Sequence, residues 1–217
     1  MCPPARRHLN RAGHLVAHVL LIETDRDGLV LVDTGIGRAG VADMRDWIGP
    51  TFTRMIGPVA DPTRTAHHQI TRLGLDPTDV RHIVCTHLDV DHAGGLADFT
   101  DAEVHVHGTE LDAAINPRDS GETQRYRRRL WQHDPRWRTF HTDEGDTWQG
   151  FAVARPLRTA EGRDIEGIVA VGLAGHSRGH SLVAVDTGDD RWLVHAGDAY
   201  FHAGSVHPDR PRPGRLM

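Results

Sequence analysis

Thr86-His87-Leu88-Asp89-Val90-Asp91-His92-Ala93-Gly94-Gly95 settles more about this chain than any other segment. Four potential metal ligands, His87, Asp89, Asp91 and His92, fall within its first seven residues, directly behind the apolar run Arg81-His82-Ile83-Val84-Cys85-Thr86. Alternate residues of an extended segment share a face, so His87, Asp89 and Asp91 can converge, while His92 turns elsewhere as a helix begins. One short loop can thus feed two adjacent metal positions. Gly94-Gly95 then lets the backbone approach closely and turn. A solvated acidic loop with incidental histidines would explain neither the buried strand before it nor the double glycine after it.

Working outward, Leu15–Glu23 and Leu29–Asp33 are β-branched and apolar around the turn Asp25-Arg26-Asp27-Gly28, which predicts a hairpin. Asp33-Thr34-Gly35-Ile36-Gly37 closes it in a glycine-rich loop. Val41, Met44, Trp47 and Ile48 predict a helix broken at Gly49-Pro50, and Asp61-Pro62 caps a second one running to about Leu73-Gly74. Glu103–His107 is expected as a strand, Thr109–Ala114 as a short helix and Glu122–Trp131 as an Arg-rich helix. Strands are then expected over Phe151–Ala154, Ile165–Leu173, Ser181–Asp186 and Trp192–His195, two of them ending in Gly175-His176-Ser177-Arg178-Gly179-His180 and Gly197-Asp198. Residues 1–206 are expected as a single domain and 207–217 as a poorly ordered Pro/Arg-rich tail, or the start of a missing C-terminal segment. The order of elements fits an α/β sandwich.

Composition narrows the chemistry. Of 217 residues, 25 are cationic and 30 acidic, for a formal charge of −5, and every cation is an arginine. The absence of lysine excludes a P-loop lysine and a Schiff-base lysine. The 17 histidines are, by contrast, a large supply of ligands and proton carriers. Cys2 and Cys85 cannot form a disulfide scaffold, and Cys85 reads as a reduced core residue. With no apolar leader and no membrane-length run, a cytoplasmic protein without membrane contact is expected. Mild acidity speaks against a nucleic-acid partner and leaves a small-molecule substrate, with a homodimer open.

Taken together, Val32-Asp33-Thr34-Gly35, the 86–95 segment, Gly175–His180 and Gly197-Asp198 resemble, in order, the motifs of the metallo-β-lactamase superfamily of metal-dependent hydrolases. The resemblance implies a four-layer αββα sandwich of two mixed sheets flanked by helices. It implies two divalent metal ions, zinc first, with manganese or iron as alternatives. On that pattern His87, Asp89 and His176 would ligate one metal and Asp91 and His92 its neighbour, with Asp198 bridging the two. Asp33 and His180 would support the ligands by hydrogen bonds. Hydroxide generated at the metals would attack a carbonyl, as in lactonases, thioesterases and related ester or amide hydrolases. Asp91 would move the proton and Tyr200 would donate to the oxyanion.

Two departures from the pattern stand out. Asp89 occupies the place of the second histidine of the usual His-x-His-x-Asp-His run, exchanging a nitrogen ligand for an anionic oxygen that favours harder metals. A final downstream histidine has no matching motif, and His202 and His207 are the only candidates. A mononuclear iron oxygenase similar to the persulfide dioxygenases, using His87, His176 and Asp198, tolerates both departures, as does a truncated relative that binds metal weakly.

The remaining candidates read as structural. His105-Val106-His107 alternates on a strand but lacks a third ligand at a comparable junction, and Val104 and Val106 account for its burial. His14, His18 and His67-His68 have no partner at metal spacing. Arg125-Tyr126-Arg127-Arg128-Arg129-Leu130-Trp131 is expected as a solvated helix face at the mouth of the site, suited to an anionic substrate group. Trp47, Phe52, Trp131 and Trp137, in the segments 38–62 and 116–140, are candidates to wall a substrate pocket.

Overall fold

The computed structural model describes residues 15–142, 146–201 and 206, so Cys2, His14, His202, His207 and the 207–217 tail lie outside it. The expected hairpin forms from β1 (Leu20–Glu23) and β2 (Leu29–Val32), paired Leu20 to Val32 and Glu23 to Leu29. β1 is shorter than its sequence pattern, and residues 15–18 are exposed. Strands β3 (Val80–Val84), β4 (Glu103–His107) and β5 (Arg136–Phe140) add to β2 in parallel, giving the order β1-β2-β3-β4-β5. A second, antiparallel sheet follows in the order β10-β9-β8-β7-β6. Its strands are β6 (Asp146–Trp148), β7 (Phe151–Arg158), β8 (Asp164–Gly172), β9 (Ser181–Asp186) and β10 (Trp192–His195).

The helices are α1 (Arg38–Ala42), α2 (Met44–Trp47), α3 (Pro50–Ile56), α4 (Ala66–Arg72), α5 (Val90–Ala93), α6 (Gly108–Ile115) and α7 (Ser120–Arg125). Three helical expectations are corrected. The single helix through Val41–Ile48 is two, because Asp43 leaves helical geometry and caps α2 by accepting from the Asp46 N–H at 3.0 Å. Gly49-Pro50 does break the run as expected, α2 ending at Trp47, and Pro50 then opens α3, since proline at the first position lacks only an N–H that would go unpaired anyway. The Arg-rich helix ends at Arg125, where Tyr126 turns extended, and only a 3-10 turn covers Arg128–Trp131. Asp61-Pro62 does cap a start, but of the 3-10 turn Pro62–Arg64, and Thr65 caps α4 separately. Strand β5 was not anticipated.

Alternation along the parallel strands feeds two cores. Leu31, Ile83, Val104 and Val106 pack with Ile70 of α4 and Ala113 of α6 on one face. Val30, Val32 and Val84 meet Leu157, Ile165, Ile168 and Val183 of the second sheet on the other. The fold is therefore the expected mixed α/β arrangement of two sheets with helices. Among the described residues every α-helix precedes β5, and α4, α5 and α6 contribute to the core on the outer face of the first sheet. No helix among them is long and apolar enough to cross a membrane.

Candidate metal centre

The carboxyl ends of β2 and β3, the β8–β9 turn and the segment past β10 come together at one end of the sandwich, where α/β folds characteristically place their chemistry. The 86–95 segment leaves β3 and enters α5, and its carbonyl at His92 accepts from the N–H and hydroxyl of Thr34 at 2.7 and 2.8 Å. A Cβ on Gly95 would stand 2.9 Å from the Thr34 carbonyl oxygen, so the close approach expected of the double glycine is real.

Six of the expected ligands converge. His87, His176 and Asp198 present ligand atoms that all lie within 4.8 Å of one another. Asp89 Oδ2 lies 3.0 Å from His176 Nε2 and 3.4 Å from His87 Nε2. Asp198 divides its two oxygens, Oδ2 standing 3.4 Å from His176 Nε2 and Oδ1 3.1 Å from His92 Nε2. Asp91 Oδ2 is 3.9 Å from the same His92 nitrogen. His87 Nε2 and Asp89 Oδ1 are buried with no hydrogen-bond partner among the described residues. Orphaned lone pairs of this kind, in a set of imidazoles and carboxylates, fit divalent cations.

The supporting contacts are equally specific. Asp33, fully buried, accepts from the Thr86 N–H and hydroxyl and from His92 Nδ1–H, each at 2.8 Å. This fixes Nε2 of His92 toward Asp198. Burial would lower the His92 imidazole, but the carboxylates of Asp33 and Asp198 raise it to about 11. His180 donates from Nδ1 to the Leu173 carbonyl at 3.1 Å and accepts the Asp198 N–H at 3.0 Å, which requires a neutral ring; burial and the neighbouring His87 push it down to about 4. Gly197, at φ 51°, brings Asp198 against His180 with no space for a side chain. Burial raises the Asp91 carboxyl despite the opposing pull of His92.

Two contributors were not anticipated from sequence. Glu110 of α6, fully buried, accepts from the Leu88 N–H (3.0 Å), the Tyr126 hydroxyl (3.0 Å), the Ser177 hydroxyl (2.7 Å) and the Gly179 N–H (3.0 Å). It thereby ties both ligand-bearing loops to one side chain. Arg125, at the end of α7, places Nη1 3.4 Å from Asp89 Oδ2. Burial alone would raise Asp89; His176, His87 and this guanidinium overcome it and hold the carboxyl well below the usual range. Arg125 stood in the segment expected at the mouth of the site, but nothing in the sequence pointed it at Asp89.

Other expectations fare differently. Tyr200 is 43% exposed and its hydroxyl makes no hydrogen bond to another described residue. Trp47, Phe52 and Trp131 pack with Ile48, Val90 and Leu130, and Trp137 against the helix-facing core, so all four spend area on packing. Arg127, Arg128 and Arg129 are engaged with Asp46 and the Ile115 carbonyl.

Comparison with known proteins supplies the context. A probable metallo-hydrolase of Mycobacterium tuberculosis is 43% identical over 215 residues, covering 94% of this chain and 65% of that protein. The chain thus spans just under two thirds of that relative's length. An N-acyl homoserine lactonase of Bacillus thuringiensis is 33% identical over 96 residues, 44% of this chain and 38% of the relative. A solved N-acyl homoserine lactone hydrolase with N-hexanoyl-L-homoserine bound at its catalytic metal centre superposes with a TM-score of 0.63 at 23% identity, over 88% of this chain and 66% of that one. The family model for the metallo-beta-lactamase superfamily matches residues 12–216, and the chain belongs to that superfamily.

Proposed function

We propose that the chain is a metal-dependent hydrolase acting on a carbonyl substrate of the lactone, thioester or related ester or amide class. The observation that carries this reading is the divided carboxylate of Asp198, with one oxygen toward His87 and His176 and the other toward His92. A carboxylate so placed suits a bridge between two cations. On this reading His87, Asp89 and His176 hold one ion, Asp91 and His92 the other, and zinc is the metal. Two such ions would lower the pKa of a shared water towards ~7 and polarise the carbonyl.

The chain's own groups then have defined tasks. Asp33 aims His92, and His180 holds the backbone of Asp198, so the two supports set the spacing of the ligands. Asp91, whose side chain is 34% exposed and whose carboxyl is raised by burial, is placed to take up and return a proton at Oδ2. Tyr200, two residues beyond Asp198, is assigned to donate its hydroxyl to the oxyanion. Arg125 neutralises the charge that Asp89 adds where the family carries a histidine.

The lactone class is favoured by the likeness to the B. thuringiensis lactonase, 33% identical over 96 residues. A cytoplasmic setting is part of the same proposal, checked by cell fractionation. The mononuclear alternative draws on the compact triad of His87, His176 and Asp198. Turnover of a panel of acyl-homoserine lactones, thioesters and aryl esters by zinc-, manganese- and iron-loaded protein tests the proposal. Hydrolysis with zinc or manganese supports it, whereas iron-dependent oxygen consumption without hydrolysis overturns it in favour of the triad.

A further inference from the structure

At the amino end of the same parallel strands lies a second cluster of ligand-type side chains. β3 and β4 pair in parallel with His82 opposite Glu103 and Val84 opposite His105. His82, Glu103 and His105 therefore share the face turned toward the second sheet, beside Val84 of the inter-sheet core. His82 stands five positions before His87, about 16 Å along an extended chain, so this cluster is separate from the centre described above.

The geometry has the scale of a coordination site. His82 Nδ1 lies 3.1 Å from His105 Nε2 and 3.7 Å from Glu103 Oε2, and the three ligand atoms all fall within 4.8 Å of one another. Four ligands arranged tetrahedrally at the usual zinc distances stand about 3.3 Å apart. All three side chains are more than nine-tenths buried, with His82 at 7%, Glu103 at 6% and His105 at 2% exposure. Arg138 of β5 donates to Glu103 Oε1 at 2.9 Å and so orients the carboxylate. Glu103 Oε2, on the imidazole side, is buried without a hydrogen-bond partner among the described residues.

An orphaned carboxylate oxygen facing two imidazoles is an unfavourable arrangement unless something positive completes it. A single shared proton between His82 and His105 leaves Glu103 Oε2 unsatisfied, whereas a cation would satisfy all three. Entry is open, because His82 and Glu103 line a cleft of about 560 Å³ whose walls include Asp27, Asp101, Glu161 and Arg163.

We infer that His82, Glu103 and His105 form a further metal site for a borderline divalent cation of the zinc type, with its remaining position open to the cleft. Two imidazoles and one carboxylate suit zinc better than calcium or magnesium. The ion would pin β3 to β4 at the end of the sheet remote from the hydrolytic centre, and the inference does not depend on what that centre hydrolyses.

The test is zinc content after saturation and exhaustive dialysis, for the wild type and Glu103→Gln, together with anomalous diffraction at the zinc edge. The expected result is about one zinc per chain fewer in Glu103→Gln, an anomalous peak between the three side chains in the wild type only, and unchanged hydrolytic activity in both. His82→Asn, at the cleft wall, gives the same comparison if Glu103→Gln does not fold. Equal zinc content with no peak at this position would overturn the inference and leave a plain imidazole–imidazole hydrogen bond.

Discussion

Glu110 and Gly179 meet with no room for a side-chain carbon between them: the Gly179 N–H donates to Glu110 Oε2 at 3.0 Å, and a Cβ on Gly179 would fall on the Glu110 backbone. Since Glu110 also takes the Leu88 N–H, one carboxylate holds the segments bearing His87 and His176 in register. Glu110→Gln would turn an amide NH₂ toward donors. Hydrogen bonds to charged groups are worth about 1.5–3 kcal/mol, so a loss on the order of 3 kcal/mol in urea unfolding is expected. Zinc affinity should fall 10–100-fold, as for other groups that orient ligands. An unfolding midpoint and a zinc affinity both equal to the wild type's would show that Glu110 positions neither loop.

Asp33→Asn keeps the shape of the support but removes the charge that faces His92 Nδ1–H at 2.8 Å. The expected outcome is weaker retention of the ion on the His92 side, by roughly 10–100-fold, with the other ion kept. Isothermal titration with zinc reads this directly. Because His92 is held protonated to about 11 in the metal-free chain, each filling of that side at pH 7 should also release a proton, measurable by repeating the titration in buffers of different ionisation enthalpy.

Much of this centre was legible because its chemistry is local. Residues 87–92 carry four ligands in one loop, and the Gly-rich turns around Asp33 and Asp198 mark strand ends within a few positions. Glu110 was hidden because, like Asp112 in the same helix Gly108–Ile115, it looks like a solvated helix position, and only the packing of α6 under two loops buries it. The His82–Glu103–His105 cluster was hidden for a related reason. The residues come from two strands, and only their parallel register sets His82 beside Glu103. Strand β5 was missed because Arg136-Trp137-Arg138-Thr139-Phe140 sits at a sheet edge and carries charge at alternate positions. Gly49-Pro50 was legible as the end of a helix but not as the start of α3, because the same dipeptide ends one helix and begins another equally well.

Acid should destabilise the metal-free protein across a defined window. Burial holds His105 down to about 3 and His180 down to about 4, against an ordinary value of 6.5. Above pH 6.5 neither the folded nor the unfolded chain protonates these rings, and their contribution to stability is complete. As pH falls below 6.5 the unfolded chain takes up protons that the folded chain refuses, so stability is lost progressively toward pH 3–4. The loss from His105 alone should be on the order of 3 kcal/mol at pH 4. Urea unfolding at pH 7, 5.5 and 4 checks this, and His105→Leu should flatten the decline; a decline identical in that variant would assign the acid lability elsewhere.

Asp89→His restores the nitrogen ligand of the family pattern but leaves Arg125 Nη1, now 3.4 Å from a carboxylate, facing a neutral ring. The variant should take zinc over manganese more selectively than the wild type when purified from mixed-metal medium. Pairing it with Arg125→Gln should raise zinc retention further, because the uncompensated cation beside the metal is then gone. Metal content by mass spectrometry reads both steps, and no change in the zinc-to-manganese ratio would mean that Asp89 is not a ligand.

The central claim is that the centre built on His87, His176 and Asp198 makes this chain a hydrolase. Its most direct measurement is ring opening of an acyl-homoserine lactone, followed by proton release, as metal-free protein is titrated with zinc. The account predicts no turnover without metal, turnover that rises with zinc to a plateau, and none at any zinc concentration in His87→Ala. Turnover that persists without metal or in His87→Ala, or none across lactones, thioesters and esters in the zinc-saturated wild type, would contradict it.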